Sequence, residues 1–359
     1  MTANIILHSA RALAGYAAGD LLESHPEFRE SAGPAAFQRW QNLLAQCLEE
    51  LSAAIATSRP QLFIEHVRWL QSLLAARGER PLALESGLDC LAKVLAAELP
   101  EATAGLAAGV CREAGEALKQ ETVDYAPILN PESAFGRLAA SYLLALLEGD
   151  RTRAMQIVTD AAEAGHTVQD LYMQVLLPAQ EEAGRMWQAA EINVAEEHFA
   201  TATTRMVMAQ LRGRALAKDP NGKTLVASAV AGNQHDIGLQ AVADFFEIDG
   251  WRVIQLGSDM PVHDLVQAVA FYHADLLGLS VCLHGQLTTL KQTIDAVRNS
   301  QGGAAVKILV GGRGLTGVGE LAAEFGADGY ASDPIEAVAL GNALVGLTSD
   351  PPDGGVGAS

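Results

Sequence analysis

Apolar residues recur at two different periods along the chain, and the change of period divides it into regions. In the first part the spacing is helical through Phe37–Ile55, Leu62–Ala76 and Leu82–Ala97. Proline and glycine interrupt these runs at Pro60, Gly78, Pro81 and Pro100. The pattern predicts an all-α N-terminal domain over residues 1–130, and no motif in that domain indicates a chemistry.

A second helical block follows a proline-containing linker at Asp124–Ser133. The amphipathic runs are Phe135–Leu147, Arg151–Ala164, Val168–Trp187 and Asn193–Gly213. Gly165 ends the second run as a C-cap, and we expect Pro178 to bend or divide the third. Four helices with short connections predict a four-helix bundle over residues 134–213.

The period changes after Lys218–Lys223, where short apolar runs begin to alternate with amphipathic helices. The predicted strands are Leu225–Val230, Trp251–Leu256, Leu276–Val281, Lys307–Val310 and Gly329–Ala331. Strand–helix alternation predicts a five-stranded parallel sheet with helices on both faces. We expect a flavodoxin-like, Rossmann-like α/β domain over 223–347 with strand order 2-1-3-4-5, and a disordered tail at 348–359.

Composition excludes several classes of partner. The formal net charge is −19 without a dense Lys/Arg cluster, which argues against direct binding of nucleic acid. No apolar stretch is long enough to span a bilayer, so we expect no membrane partner. The four cysteines fit neither a zinc pattern nor a disulfide framework, which favours reduced thiols and a cytoplasmic location.

Unusual residues follow three strands of the predicted sheet, at the edge where open parallel sheets bind ligands. The loop after the first strand runs Asn233-Gln234-His235-Asp236-Ile237-Gly238; Ser280 ends the third strand, and Gly311-Gly312 follows the fourth. Alone, a loop histidine is usually a polar surface residue and a double glycine only a turn. Phosphate binding is an alternative, but the glycine fingerprints of dinucleotide and NTP sites are absent from the first loop.

Together these elements resemble the D-x-H-x-x-G … S-x-L … G-G signature of base-off, His-on cobalamin-binding domains. The resemblance implies that His235 is the lower axial ligand of cobalt. It also implies that the cofactor's nucleotide tail enters a slot beside Ser280 and Gly311-Gly312. The cofactor-binding residues implied in these loops are Asn233, Asp236, Gly238, Ser280, Gly311 and Gly312. Two departures stand out: Asn233 replaces the usual acid, which weakens the support of the imidazole, and Cys282 replaces leucine.

The helical block carries a second motif, Trp187, nine residues, then Glu197-His198. Asn193 can cap the last helix with Glu196 in a capping box, which leaves Glu197 and His198 free. Trp187 in the bundle core beside two exposed helix residues is the alternative interpretation. The motif resembles the cap of adenosylcobalamin photoreceptors. That resemblance implies that Trp187 shields the upper ligand, Glu197 contacts the adenosyl group, and His198 moves to cobalt after illumination.

We therefore expect a cobalamin-binding light sensor, not an enzyme, that signals to an unknown protein partner through its N-terminal domain. That domain does not resemble the DNA-binding domain of the best-known photoreceptor of this type. Some cobalamin photoreceptors of similar layout, the photocobilins, pair cobalamin with a bilin in an added helical region, so biliverdin as a second chromophore is a further hypothesis. We also expect a homo-oligomer. The alternatives are a corrinoid methyl carrier for a methyltransferase and a cobalamin storage or delivery protein.

Overall fold

The structure, a computed structural model, describes residues 2–119 and 126–347. The chain divides into two compact units, Met1–Ala154 with Pro178–Ala202, and Met155–Leu177 with Thr203–Ser359. The expected tail at 348–359 and the first two residues of the expected linker lie outside the described residues. The domain boundaries drawn from the sequence therefore stay a prediction.

The N-terminal region is helical, as the apolar spacing predicted. Its helices are α1 (Thr2–Ser24), α2 (Pro26–Ala32), α3 (Ala36–Ala56), α4 (Pro60–Ala76), α5 (Pro81–Glu98) and α6 (Glu101–Ala117). The three predicted helices are confirmed, while α1, α2 and α6 were not predicted. Alanine and glycine are frequent in α1 and α6, so their apolar faces contrast weakly with their exposed faces.

The core of the N-terminal region is built where α1 packs against α3 and α5, and α5 against α6. Cys47 and Cys111 lie in this core as free thiols. Burial raises the pKa of the Cys47 thiol to about 12, and the nearby Glu50 carboxylate adds to the rise. Burial also raises the pKa of the Cys111 thiol. Both cysteines therefore remain protonated packing residues rather than reactive thiolates.

The second helical block contains α7 (Ala134–Leu147), α8 (Arg151–Glu163), α9 (Val168–Leu171), α10 (Leu177–Gln188) and α11 (Val194–Arg212). A π-helical turn at Tyr172–Leu176 lies between α9 and α10. Pro178 stands in the first turn of α10, directly after this wide turn. Because proline has no N–H to donate and its ring crowds the preceding turn, the predicted interruption takes the form of a π turn.

The α/β region is a parallel sheet of order β2-β1-β3-β4-β5, which confirms the predicted topology. The strands are β1 (Thr224–Val230), β2 (Arg252–Met260), β3 (Leu276–Ser280), β4 (Lys307–Gly311) and β5 (Gly329–Ala331). The helices are α12 (Ile237–Ile248), α13 (Val262–Phe271), α14 (Leu287–Arg298), α15 (Leu321–Glu324) and α16 (Pro334–Leu344). The register pairs Ala229 with Ser280 and Ser280 with Gly311, so three strands end side by side.

Aromatic and aliphatic side chains fill the space between this sheet and its helices. Phe246 of α12 packs edge-on against Trp251, with ring centroids 5.0 Å apart. The Trp251 indole N–H donates to Asn342 Oδ1 over 2.8 Å. Helix α15 is shorter than the predicted Gly317–Phe325, because Gly317 has a φ of +77° that interrupts a right-handed helix. Among the described helices, none combines the length and the apolar character that a bilayer crossing needs.

Candidate functional site

The loop between β1 and α12 is fixed from the neighbouring strand β2. Gly232 has a φ of +81°, and its N–H donates to Asp259 Oδ1 over 2.7 Å. The N–H of Asp259 in turn donates to the carbonyl oxygen of Asn233 over 3.0 Å. Asp259 lies near the end of β2, and the sequence analysis did not single it out. This paired contact fixes the start of the loop before the histidine is reached.

Asn233 connects the histidine loop to β3 and is completely buried. Its Oδ1 accepts the backbone N–H of His235 over 3.0 Å, and its Nδ2 donates to the Ser280 carbonyl oxygen over 3.1 Å. The amide therefore holds the backbone of His235. An ionised aspartate at this position could accept the first bond but could not donate the second. The exchange of the usual acid for asparagine thus adds a link between two loops.

His235 is exposed at the carboxyl edge of the sheet, beside the start of α12. The next residue, Asp236, is fixed from the helical block, because the Arg205 guanidinium binds Asp236 Oδ1 through two nitrogens. The Arg205 Nε contact measures 3.1 Å. Sequence reasoning did not pair these residues, because they are 31 positions apart and a surface arginine is a common helix residue. The loop is consequently fixed on both sides of an exposed imidazole.

Two further contacts join the helical block to α12. The Tyr172 hydroxyl lies 2.7 Å from Asp244 Oδ2, and Arg212 Nε donates to Glu247 Oε2 over 2.9 Å. Burial raises the pKa of Asp244, and the hydrogen bonds that its carboxylate accepts from Tyr172 and Gln240 oppose that rise. Helix α12, which follows the histidine loop directly, is therefore held at two positions along its length and at Asp236, just before its first residue.

The loop after β3 is held by one side chain, Gln286. Its Oε1 accepts the N–H groups of Cys282 and Leu283 over 2.9 and 3.1 Å. Its Nε2 donates to the Gly232 carbonyl oxygen over 3.1 Å. Gln286 is buried, and it joins the loops after β1 and β3. Nothing in the sequence distinguishes this glutamine from an ordinary loop residue, so only the structure reveals it.

The double glycine at the end of β4 is required by close backbone approach. Gly312 has a φ of +100°, and a Cβ there would lie 2.2 Å from the Val281 carbonyl oxygen and 3.0 Å from Ser280 Oγ. A Cβ on Gly311 would lie 2.7 Å from the Ala331 carbonyl oxygen. Gly238 is different, because a Cβ there would meet open space. The β4 loop thus lies directly against the β3 loop, while the space beside the start of α12 is free.

These residues are compatible with a cofactor that carries its own transition metal. His235 offers an exposed imidazole, and the neutral form of this group is a common ligand of transition metals. The open side of Gly238 leaves room for a bulky group beside that imidazole. Burial raises the pKa of the neighbouring Cys282 thiol, while Arg313 opposes the rise. The raised pKa favours the protonated thiol at Cys282.

The predicted cap residues lie at the end of α10 and the beginning of α11. The capping box is confirmed: Asn193 Oδ1 accepts the N–H of Glu196 over 3.2 Å, and Glu196 Oε2 accepts the N–H of Asn193 over 2.7 Å. Glu197 Oε1 accepts the Thr201 hydroxyl over 2.7 Å. The His198 side chain is 74% exposed, and Trp187 is half-buried. Glu196 thus has a structural role, and His198 is accessible.

Comparison with known families decides the class of ligand. One family model described as B12 binding domain matches residues 223–339, and a second B12 binding domain model matches residues 138–212. Together they span more than half of the chain. These matches assign B12-binding domains to the two segments. The first match contains the histidine, serine and double-glycine loops, and the second contains Trp187, Glu197 and His198.

The curated relatives that match these segments include corrinoid proteins. A corrinoid protein of Desulfitobacterium hafniense (strain Y51) is 25% identical over 206 residues, which are 56% of this chain and 94% of the relative. Dimethylamine corrinoid protein 3 of Methanosarcina acetivorans is 31% identical over 121 residues, 34% of this chain and 56% of the relative. This second match therefore spans about half of that relative's length.

Among solved structures, the monomethylamine corrinoid protein of Methanosarcina barkeri matches with a TM-score of 0.51 at 20% identity. The match covers 59% of this chain and 99% of that one, which supports the fold. Cobalamin binding and the Rossmann-like fold are thus confirmed. The photoreceptor kinship, adenosylcobalamin as the bound form and biliverdin receive no support from these relatives. The roles of the individual site residues stay predictions.

Proposed function

We propose that this chain is a corrinoid carrier that binds cobalamin with His235 below the cobalt and presents the metal to a methyltransferase. The observation that carries the proposal is the exposed His235 imidazole at a sheet edge whose loops are fixed by buried Asn233 and Gln286. The corrinoid relatives favour the carrier over the light sensor. Bound cobalamin would supply a cobalt centre that accepts a methyl group and passes it on.

Each loop has a distinct part in this proposal. Asn233 fixes the backbone of His235, so that the imidazole is presented in one place without a large loss of loop entropy on binding. The close approach of Gly312 to Val281 and Ser280 shapes the slot that would receive the nucleotide tail. Asp236 and Gly238 border the imidazole on the side of α12. The protein's task is binding and orientation, because the reactivity belongs to the cofactor.

The test of this proposal measures methylation of bound cobalt. Full-length protein is loaded with hydroxocobalamin, reduced with titanium(III) citrate and mixed with a methylamine and candidate methyltransferases from the same genome. A carrier shows conversion of the reduced-cobalt absorbance to that of methylcobalamin only when both enzyme and methyl donor are present. Tight cobalamin binding without methylation by any candidate would oppose the carrier function and leave cobalamin binding intact.

A light sensor is the second candidate, and the spacing of Trp187, Glu197 and His198 favours it. More than two fifths of this chain lies outside the match to the Desulfitobacterium corrinoid protein, although 94% of that protein is covered. This chain therefore has a large region that the relative lacks. That region could provide the output surface of a sensor for an unknown protein partner.

Illumination separates the two candidates. Protein loaded with adenosylcobalamin is exposed to green light and followed by absorbance and size-exclusion chromatography, in parallel with His198→Ala. A sensor gives a stable new spectrum that requires His198 and a change in elution volume. A carrier gives the same photolysis product in both proteins and an unchanged elution volume.

A further inference from the structure

The last turn of α10, which ends with Trp187 and Gln188, is held by an arginine from the N-terminal helices. The Arg77 guanidinium carbon lies 4.9 Å from the centroid of the Trp187 ring. Its Nη2 donates to the Trp187 carbonyl oxygen over 2.8 Å, and its Nη1 donates to the Gln188 carbonyl oxygen over 3.0 Å. One side chain therefore contacts both the ring and the backbone of the tryptophan.

The position of Arg77 matches the electrostatics of a helix end. The last carbonyl groups of a helix lack partners within the helix and carry the negative end of its dipole. A guanidinium can satisfy two carbonyl oxygens at once and also stack on an aromatic ring, which a lysine ammonium cannot do in the same geometry. Arg77 thus acts as a C-terminal cap for α10, although it stands at the end of α4.

Other contacts hold the same helix to the same region. Gln188 is buried, and its Nε2 donates to Ser72 Oγ of α4 over 2.9 Å. The Ser72 hydroxyl donates to the Trp69 carbonyl oxygen over 2.9 Å. Earlier in α10, Glu182 Oε2 accepts the backbone N–H of Ile128 over 2.7 Å. A shift of the α10 backbone at Trp187 away from α4 would therefore have to break several of these bonds.

We propose that Arg77 is a positioning residue for Trp187, so that the N-terminal helices set the place of the tryptophan that the sequence motif predicts to shield the cofactor. The inference rests on the proposed cobalamin binding and assigns the N-terminal domain a part in it. It also implies reciprocal coupling. A change in the position of Trp187 alters its contacts with Arg77, and a partner bound to the N-terminal domain alters how well Trp187 shields the cobalt.

The variants that test this are chosen by the atoms they remove. Arg77→Gln removes the charge and the fork, while Arg77→Lys keeps the charge but loses the paired contact to two carbonyl groups. Trp187→Phe shortens the covering ring. Arg80→Gln is the matched control, because Arg80 is an exposed arginine nearby whose side chain makes no capping hydrogen bond.

The measurement is the rate at which azide replaces water on cobalt in full-length protein loaded with aquocobalamin, followed by visible absorbance. We expect Arg77→Gln to raise this rate about threefold to tenfold, the size that loss of a cation–π contact and charged hydrogen bonds would give. Arg77→Lys should fall between this variant and the wild type. Combined with Trp187→Phe, Arg77→Gln should add no further increase, because both act through one side chain.

Each result has a defined meaning. An unchanged exchange rate in Arg77→Gln, with an accelerated rate in Trp187→Phe, overturns the positioning role and leaves cobalamin binding standing. Equal acceleration by Arg80→Gln, or strictly multiplicative effects of the two substitutions, also overturns it. If wild-type protein takes up no aquocobalamin, the proposed function fails first and this inference fails with it. Melting temperatures of the variants report whether any of them is damaged in folding.

Discussion

The α/β region and the N-terminal helices bury polar side chains to a similar degree but use them differently. In the α/β region, buried Asn233 and Gln286 join loops that follow different strands. In the N-terminal region, buried Ser52 and Gln71 donate to the carbonyl oxygens of Ala3 and Leu118, over 2.9 and 3.0 Å. The first pattern prepares an edge for a ligand, whereas the second only ties helices together. Burial of a polar group therefore indicates function only when its partners converge on an open edge.

The largest effect should come from the group at the centre of that edge. We expect His235→Ala to lower cobalamin affinity by more than about tenfold, because the variant removes the protein's ligand to cobalt. The free energy of unfolding should hardly change, since His235 is exposed. Absorbance titration with hydroxocobalamin measures the affinity. The control is His263→Ala, which removes an exposed histidine from α13; an equal loss of affinity in this control would contradict the assignment.

Alanine substitutions at two glycines of the α/β region should affect the stability of the fold and the affinity for cobalamin differently. Gly312→Ala places a Cβ 2.2 Å from the Val281 carbonyl oxygen at a φ of +100°, so we expect a loss of about 1–3 kcal/mol in the free energy of unfolding together with weaker binding. Gly238→Ala meets open space in the first turn of α12. It should keep or slightly raise stability and yet weaken cobalamin binding, because its methyl group would occupy space kept for the cofactor.

Urea denaturation and cobalamin titration of both glycine variants check this pair. Unchanged binding in Gly238→Ala would show that the open side of α12 is not used by the cofactor. Unchanged stability in Gly312→Ala would show that the β4 loop relaxes at no cost.

Substituting one buried polar residue in each region tests whether only the α/β residue affects cobalamin binding. Asn233→Ala leaves the carbonyl group of half-buried Ser280 and the His235 N–H without this partner, so it should cost about 1–3 kcal/mol of stability and also weaken cobalamin binding. Ser52→Ala should cost about 1 kcal/mol and leave binding unchanged. Paired denaturation curves and titrations measure both quantities. A binding defect in Ser52→Ala would remove the distinction between the two regions.

The smallest effect should come from the ion pair beside the histidine. Arg205→Ala frees Asp236 and should lower cobalamin affinity a few-fold, with less than about 1 kcal/mol of lost stability because the Arg205 side chain is 45% exposed. Arg212→Ala is the matched control, since it removes an ion pair with Glu247 on the same helix α12 but away from the loop. The two variants should differ in affinity and agree in stability; equal affinities would exclude a role for Arg205 in positioning the loop.

The sequence predicted the sheet well because buried parallel strands are continuous apolar runs between clear turns. The order of the strands and the bounds of α12 and β5 agree with the structure. The histidine loop was recognised because three elements fall at one edge. The N-terminal helices were harder to predict, since their alanine and glycine content blurs the apolar face of α1 and α6.

The side chains that organise the site were not predictable in the same way. Asp259, Gln286 and Arg205 each act on a loop that is distant in sequence, and each is an ordinary residue in its local context. Arg77 is the extreme case, because its partner Trp187 is 110 positions away. Such contacts follow from tertiary packing, which neither periodicity nor composition encodes.

The most direct test of the central claim is electron paramagnetic resonance of the protein loaded with unlabelled cobalamin and reduced to the cobalt(II) state. The protein is labelled uniformly with ¹⁵N, so that a protein nitrogen and a cofactor nitrogen below the cobalt split the signal differently. We predict doublet splitting from a ¹⁵N ligand in wild-type protein and its loss in His235→Ala. Triplet splitting from the cofactor's own ¹⁴N base, or a doublet that persists without His235, would contradict it.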